Sequence, residues 1–407
     1  MAREMRNSGV QWIGEIPKAW GIASIGHLFK IKAGGDAKPD FYVYELDALH
    51  PFPVYTNTID KNQVYAYSSK AFFHGPCITV TGRGAVGHAI YRECSFDAII
   101  RLLVLTPRTE ISCRYFTYFI DFVSLFFTNN ATIGQLSAEQ ISPSKVCLPP
   151  LSEQKAIADF LDAKCGEIDG LLSDLDAEVK TLTEYKKSLI AETVTRGLNP
   201  NVPMKSSGIP WADTIPAHWN VQKGKYTFTL LQRPVKEDDG VITCFRDGEV
   251  TLRSNRREEG FTMSAKEYGY QGIEPGDLVV HGMDGFAGSI GISDSRGKAT
   301  PVLNVLDSEQ NKRYLMYYLR NMAYGDVFLS LSTGIRVRSC DLGWKKLGEI
   351  RIVIPPLSEQ KAIADFLDTK CAAIDQAIAD KTTQIETLKA YKSSLIYEYV
   401  TGKKQVL

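Results

Sequence analysis

Residues 149–162 read PPLSEQKAIADFLD, and residues 355–368 read PPLSEQKAIADFLD again. All 14 positions are identical at an offset of 206, which no chance match produces. A repeat of this kind decides the architecture before any local pattern does. The likeness then thins but continues through Lys164/Lys370, Cys165/Cys371, Ile168/Ile374, Asp169/Asp375, Leu182/Leu388 and Leu189/Leu395. A second repeat opens each half: Ser8-Gly9-Val10-Gln11-Trp12 with Ile16-Pro17-Lys18-Ala19-Trp20, and Ser207-Gly208-Ile209-Pro210-Trp211 with Ile215-Pro216-Ala217-His218-Trp219. Between these edges the halves share little. The 407 residues therefore divide as two variable blocks, 1–148 and 200–354, each followed by a repeated block, 149–199 and 355–407.

Each repeated block reads as one long helix. Pro149-Pro150 ends whatever precedes it, Ser152 suits an N-cap, and Glu153 puts negative charge in the first turn. Leu161, Cys165, Ile168, Leu172, Leu175, Val179, Leu182, Lys186 and Leu189 then alternate at spacings of four and three, the seam of a coiled coil. The second copy keeps Leu367, Cys371, Ile374, Ile378, Ile385, Leu388 and Leu395, with Lys381 and Lys392 as interruptions. A helix of about 45 residues would run roughly 67 Å. Such a seam needs a partner, and the other copy is the nearest. A pseudo-two-fold relation between the halves would make the two helices antiparallel, with a variable block at either end. The bland alternative is two separate helices, each packed on its own globular block.

The variable blocks read as mixed α/β. Pro76–Thr81 and Ala98–Thr106 look like strands, Tyr115–Phe127 and Arg313–Tyr324 like aromatic helices, and 146–148 and 352–354 like short strands entering each double proline.

Lys+Arg and Asp+Glu both number 47, for a net charge of zero, and 44% of the residues are apolar, which excludes wholesale disorder. Residues 149–200 hold 6 basic and 10 acidic side chains, so the charge is uneven along the chain although it sums to zero. No apolar run reaches the roughly 18 residues of a membrane-spanning helix, and the opening residues lack a secretory pattern, so a cytoplasmic protein is expected. Neither the eight cysteines nor the six histidines cluster at metal-ligand spacing. Gly82-Arg83-Gly84-Ala85-Val86-Gly87 fits G-x-G-x-x-G, but a strand-like segment follows it and Arg101 and Leu102 stand where the acid should be, so a tight turn is the better reading than a dinucleotide site. Glu153-Gln154-Lys155 resembles a nuclease triplet, yet it falls in the first turn of a helix. No P-loop is present. Catalytic machinery is not expected in this chain.

Arginine suits bidentate contact with guanine or phosphate. The candidates are Arg83 on its glycine-flanked turn, Arg101, the run Arg246, Arg253, Arg256 and Arg257, Arg296 with Lys298, and Arg336 with Arg338. For any single arginine a solvated surface role is the commoner one.

With SGVQW…IPKAW, SSGIPW…IPAHW and the doubled PPLSEQKAIADFLD in place, the chain resembles the DNA-specificity subunits of type I restriction-modification systems. The segments 78–105 and 276–306 are also similar to that family's target-recognition domains. The resemblance implies an α/β (α+β) fold with two target-recognition domains of mixed sheets, separated by two long antiparallel helices in an intrachain coiled coil. It implies that each domain reads one half of a bipartite double-stranded DNA site while the helices set the gap and dock two methyltransferase subunits. Restriction subunits would complete the assembly. S-adenosylmethionine, ATP and Mg2+ would be used by those partners, with no cofactor, catalysis or membrane for this chain. Three other readings are distinguishable: a free-standing DNA-binding protein, a divergent nuclease that cuts unaided, and a scaffold without salt-dependent DNA affinity.

Overall fold

The computed structural model describes residues 3–129, 134–256, 268–330 and 342–406. The chain forms two compact units: residues 1–176 with 383–407, and residues 177–382. Each unit is described in turn.

The first unit is built on an antiparallel sheet of β1 (Phe29–Ala33), β2 (Cys77–Val80), β3 (Ala89–Arg92) and β4 (Leu103–Pro107), in the order β1-β4-β2-β3. The apolar face of α1 (Cys113–Asn129) closes it: Tyr115, Phe116, Phe119 and Ile120 share a core with Ile78, Val80, Leu103 and Leu105. A ribbon of Gly21–Ser24 and Lys145–Leu148 leads into α2 (Leu151–Arg196). The second unit repeats this scaffold. Its sheet is β5 (Thr229–Leu230), β6 (Leu278–His281), β7 (Ile290–Ile292) and β8 (Leu303–Asp307), in the order β5-β8-β6-β7, under α3 (Lys312–Tyr324). The ribbon of Asn220–Lys223 and Arg351–Ile354 leads into α4 (Leu357–Val400).

Beyond the shared scaffold the units part. Between β1 and β2 the first unit carries strands Tyr42–Val43, Phe52–Tyr55 and Ala66–Ser68, joined by Asp97–Ala98 into one four-stranded sheet. The second unit has two antiparallel ribbons there, Ile242–Cys244 with Val250–Leu252 and Gln271–Ile273 with Gly297–Ala299.

The repeated sequence is a joint between scaffold and helix. In the first unit the Trp20 indole donates to Glu153 at 3.1 Å. Gln154 is buried, accepts from the Ser112 N–H at 2.9 Å and donates to the Pro149 carbonyl. Arg114 pairs with Asp159 and Asp162, and the Tyr118 hydroxyl donates to Asp162. The second unit repeats each contact. Trp219 donates to Glu359 at 3.0 Å, Gln360 takes the Asn311 N–H, Arg313 pairs with Asp365 and Asp368, and Tyr317 donates to Asp368. Identical contacts account for identical sequence.

Two expectations need correction. Both long helices begin two residues earlier than an N-cap at Ser152 and its repeat Ser358 implies: α2 starts at Leu151 and α4 at Leu357, the Pro150 carbonyl accepts from Gln154 N–H, and Ser152 lies inside the first turn. The stretch 98–106 is not one strand. It breaks at Ile99–Leu102, where Ile100 and Arg101 have φ of +56° and +60°.

Inside each unit the long helices pair antiparallel. In the first, the Phe160 ring packs at a tilt against Tyr399 and Lys392 reaches Asp169 at 2.6 Å, so positions rise on α2 as they fall on α4. In the second, Lys381 meets Glu178 and Lys186 meets Asp375 at 2.6 Å, in the same sense. The seam residues Leu161, Ile168, Leu367, Ile374, Ile385 and Leu395 are buried, and Leu172, Leu175, Val179, Leu182, Leu189, Ile378 and Leu388 are half-buried. Lys381 and Lys392 are not interruptions but seam residues, as Lys186 is. Their stems lie along the seam, and their ammonium groups reach a carboxylate on the facing helix.

Each unit also takes the end of the other long helix. Tyr115 donates to the Val400 carbonyl in the first unit, as Tyr314 does to Val194 in the second. Gly402 and Gly197, both left-handed, then turn the chain against Trp20 and Trp219 respectively.

Candidate nucleic-acid interface

In the first unit, β2 and β3 are joined by residues 81–88, with Thr81 closing the loop by accepting from Gly87 and His88 N–H groups. Gly82 lies against Arg101, since a Cβ there would stand 2.8 Å from the Arg101 carbonyl oxygen. Asn57 ties the two turns together. Its Oδ1 accepts from the Gly82 N–H at 2.7 Å and the Arg83 N–H at 3.3 Å, and its Nδ2 donates to the Ile100 carbonyl at 2.6 Å. Arg83 and Arg101, which lie 18 residues apart in sequence, thus share one exposed edge. Arg83 reaches Gln135 at 3.4 Å, and among the described residues no carboxylate lies within ion-pair distance of either arginine. Nothing in sequence marked Asn57, because its partners are 25 to 43 residues away.

Behind this edge, His88 Nδ1 lies 2.8 Å from Asp121. The hydrogen bond to Asp121 raises the imidazole pKa above its ordinary value against the opposing effect of burial. Asp121 also accepts from the Ala89 N–H, so the loop base is pinned to α1.

The second unit uses its arginines differently. Arg246 is exposed and pairs with Asp284 at 3.0 Å. Arg256 stacks on Phe245 with its guanidinium carbon 4.3 Å from the ring centroid, and pairs with Asp247 and Glu249, which raise its pKa. Arg253 is half-buried and donates to Thr243. Arg296 is clamped between the buried Asp239 and Glu274, a contact that ties the two distal ribbons. Lys298 lies half-buried on the strand Gly297–Ala299. Arg257, Arg336 and Arg338 fall outside the described residues. A guanidinium held by two carboxylates cannot present both edges of its fork to a phosphate without exchanging partners. The first unit therefore offers the cleaner cationic edge.

Glu153 and Glu359 serve the joint, accepting from Trp20 and Trp219, and among the described residues no group of His, Cys, Asp or Glu could hold a metal ion. No helix among the described residues is long and apolar enough to cross a membrane.

Residues 17–180 and 246–387 match the family described as the type I restriction modification DNA specificity domain. A putative type I restriction enzyme specificity subunit of Methanocaldococcus jannaschii is 26% identical over 342 residues, 75% of this chain and 72% of that one. A putative type I specificity subunit of Mycoplasma pneumoniae is 26% identical over 151 residues, 37% of this chain. The match spans 44% of that relative, under half its length. A structure solved in a study of complex assembly and conformational transition of the type I R-M system has the same fold. Its TM-score is 0.68 at 12% identity, over 96% of this chain and 99% of that one.

Proposed function

From membership of this chain in the type I restriction-modification DNA specificity family, we propose that it is the sequence-reading, non-catalytic subunit of a DNA-modifying complex. Each unit reads one half of a bipartite double-stranded target, and the long helices set the gap and dock the catalytic partners. Those partners are two methyltransferase subunits, which methylate adenine with S-adenosylmethionine, and restriction subunits, which use ATP and Mg2+. The complex works in the cytoplasm. The carrying observation is a scaffold and joint repeated contact for contact under two different distal strand layers. One invariant mount under two dissimilar heads is what reading two unlike half-sites requires. The candidate DNA contacts are Arg83 and Arg101 in the first unit and Arg246, Arg253, Arg256, Arg257, Arg296, Lys298, Arg336 and Arg338 in the second; the guanidinium groups of Arg83 and Arg101, which meet no carboxylate among the described residues, support the first unit's edge most.

The test is to purify the chain with its methyltransferase partner and map methylated adenines. A single split motif with two unlike halves is expected. Binding should fall by about a thousandfold between roughly 50 and 200 mM salt if about six phosphates are contacted. Cleavage of DNA by the chain alone, or affinity indifferent to salt, would contradict the reading.

A further inference from the structure

The turn Ile99-Ile100-Arg101-Leu102 holds two successive non-glycine residues with left-handed backbone. The Leu102 N–H donates to the Ile99 carbonyl at 3.2 Å, and both central residues have positive φ. That is the geometry of a type I′ turn, which ordinarily takes Asn-Gly. A β-branched residue is among the worst choices for it. Apart from this pair, Asp326 is the one non-glycine with positive φ among the described residues.

The surroundings hold the turn in this shape. The Ile99 N–H donates to Tyr55, Ile100 to Gly35 and Arg101 to Gly34, while the Ile100 carbonyl accepts from Asn57. A Cβ on Gly34 would stand 2.5 Å from the Ala98 carbonyl oxygen, so the backbones meet there only because Gly34 has none. Every backbone donor is satisfied, yet the Ile100 side chain contributes little to any core: it is 46% exposed. The fold would be better served by Asn or Gly at this position. Strain kept at an exposed, over-determined position points to function rather than folding. The second unit lacks the device. At its corresponding turn, Thr300-Pro301-Val302-Leu303, Gly282 donates to Val302 and neither central residue is left-handed.

The geometry points to Ile100 as a specificity-determining residue of the first unit: an apolar tip that enters a groove of its half-site, steered by Arg101 and Arg83 on either side. The assignment deepens the DNA-reading function and rests on it. An isoleucine at a groove floor reads by apolar contact, for which a thymine methyl is the matching surface, while the flanking guanidinium groups hold phosphate or guanine.

The test uses the full chain with its methyltransferase partner. DNA sites are selected from a randomised pool by the wild type and by Ile100→Asn and Ile100→Gly. Each substitution relieves the strain, so the thermal midpoint should be unchanged or higher. Preference at one position of the first unit's half-site should nevertheless drop by about tenfold, the worth of one good base contact. The second half-site and the gap should stay as they were. Arg101→Gly, which also suits the turn, should weaken binding to all sequences and flatten the salt dependence. Unchanged base preference in both Ile100 variants, with a folded protein, overturns the assignment while leaving the DNA-reading function intact. A wild type that selects no sequence overturns both.

Discussion

Gly402 and Gly197 show how single residues close each unit. At Gly402, with φ of +72°, an added Cβ would stand 2.4 Å from Pro17 and 2.8 Å from the Trp20 ring. At Gly197, with φ of +77°, the nearest atom is 2.9 Å away on the Trp219 ring. The left-handed backbone costs an alanine about 1 kcal/mol and the overlap about 1–3 kcal/mol more. Gly402→Ala should therefore lower the thermal midpoint of the first unit, and Gly197→Ala should do less to the second, because Pro17 is rigid and closer. Calorimetry showing no loss for Gly402→Ala would refute this. His88 gives a pH-dependent counterpart. Its folded pKa lies above its ordinary value because Asp121 favours the charged ring. The stabilisation is therefore complete below the unfolded pKa, about 6.5, and fades as pH rises through the folded one. The first unit should lose stability across that window, and His88→Gln should lack this component. An imidazole titrating at or below pH 6.5 by NMR would count against it. Neither contact was legible in sequence. Gly402 and Trp20 are far apart along the chain, as are His88 and Asp121, and nothing local in these stretches announces the partner.

At the scale of the element, the long helices were legible because their signal is periodic and local. Spacings of four and three over 161–189 and 367–395 specify a helix and the face it buries without reference to the rest of the chain. The lysines were not legible in the same way, since hydropathy scores Lys392 as a fault in the seam, whereas its charge is met by Asp169 across the pair. These pairs are half exposed, so each should be worth only about 0.5–1 kcal/mol. A double-mutant cycle on Lys392 and Asp169 should return a coupling of that size, smaller at high salt. Replacing Lys186 and Lys392 with Leu should leave stability unchanged or raise it, at the expense of a fixed register. The strand over 98–106 failed as a reading for the opposite reason. Its composition is uniformly β-forming, but Tyr55, Gly34 and Gly35, brought in from elsewhere, supply the hydrogen bonds that bend it. The arginine clusters were legible as composition alone. Whether a cation is spent on a neighbour, as Arg296 is on Asp239, depends on contacts 57 residues away.

For the molecule as a whole, each compact unit includes a piece of each long helix. Ending the chain after Thr382 would remove from the first unit the helix segment that covers Leu161, Cys165 and Ile168, while leaving the second unit complete. Hydrogen exchange and limited proteolysis should then find residues 3–129 unprotected and residues 177–382 still protected; equal protection of both would be contrary to the assignment of units. If the helices set the gap in the DNA target, inserting one or two helical turns in both should lengthen the preferred gap and leave both half-sites unchanged, which site selection can read directly.

The seating of Tyr397, Val400 and Gly402 against Trp12, Tyr115 and Pro17 also bears on biosynthesis. On the ribosome residues 3–129 emerge well before residues 383–406, the strip that seals them. The second unit, whose parts are all made by residue 382, can finish folding while the first still waits with an open flank. The nascent protein must keep that flank from sticking elsewhere until residues 383–406 have been made, so the units' order of completion is the reverse of their order of appearance.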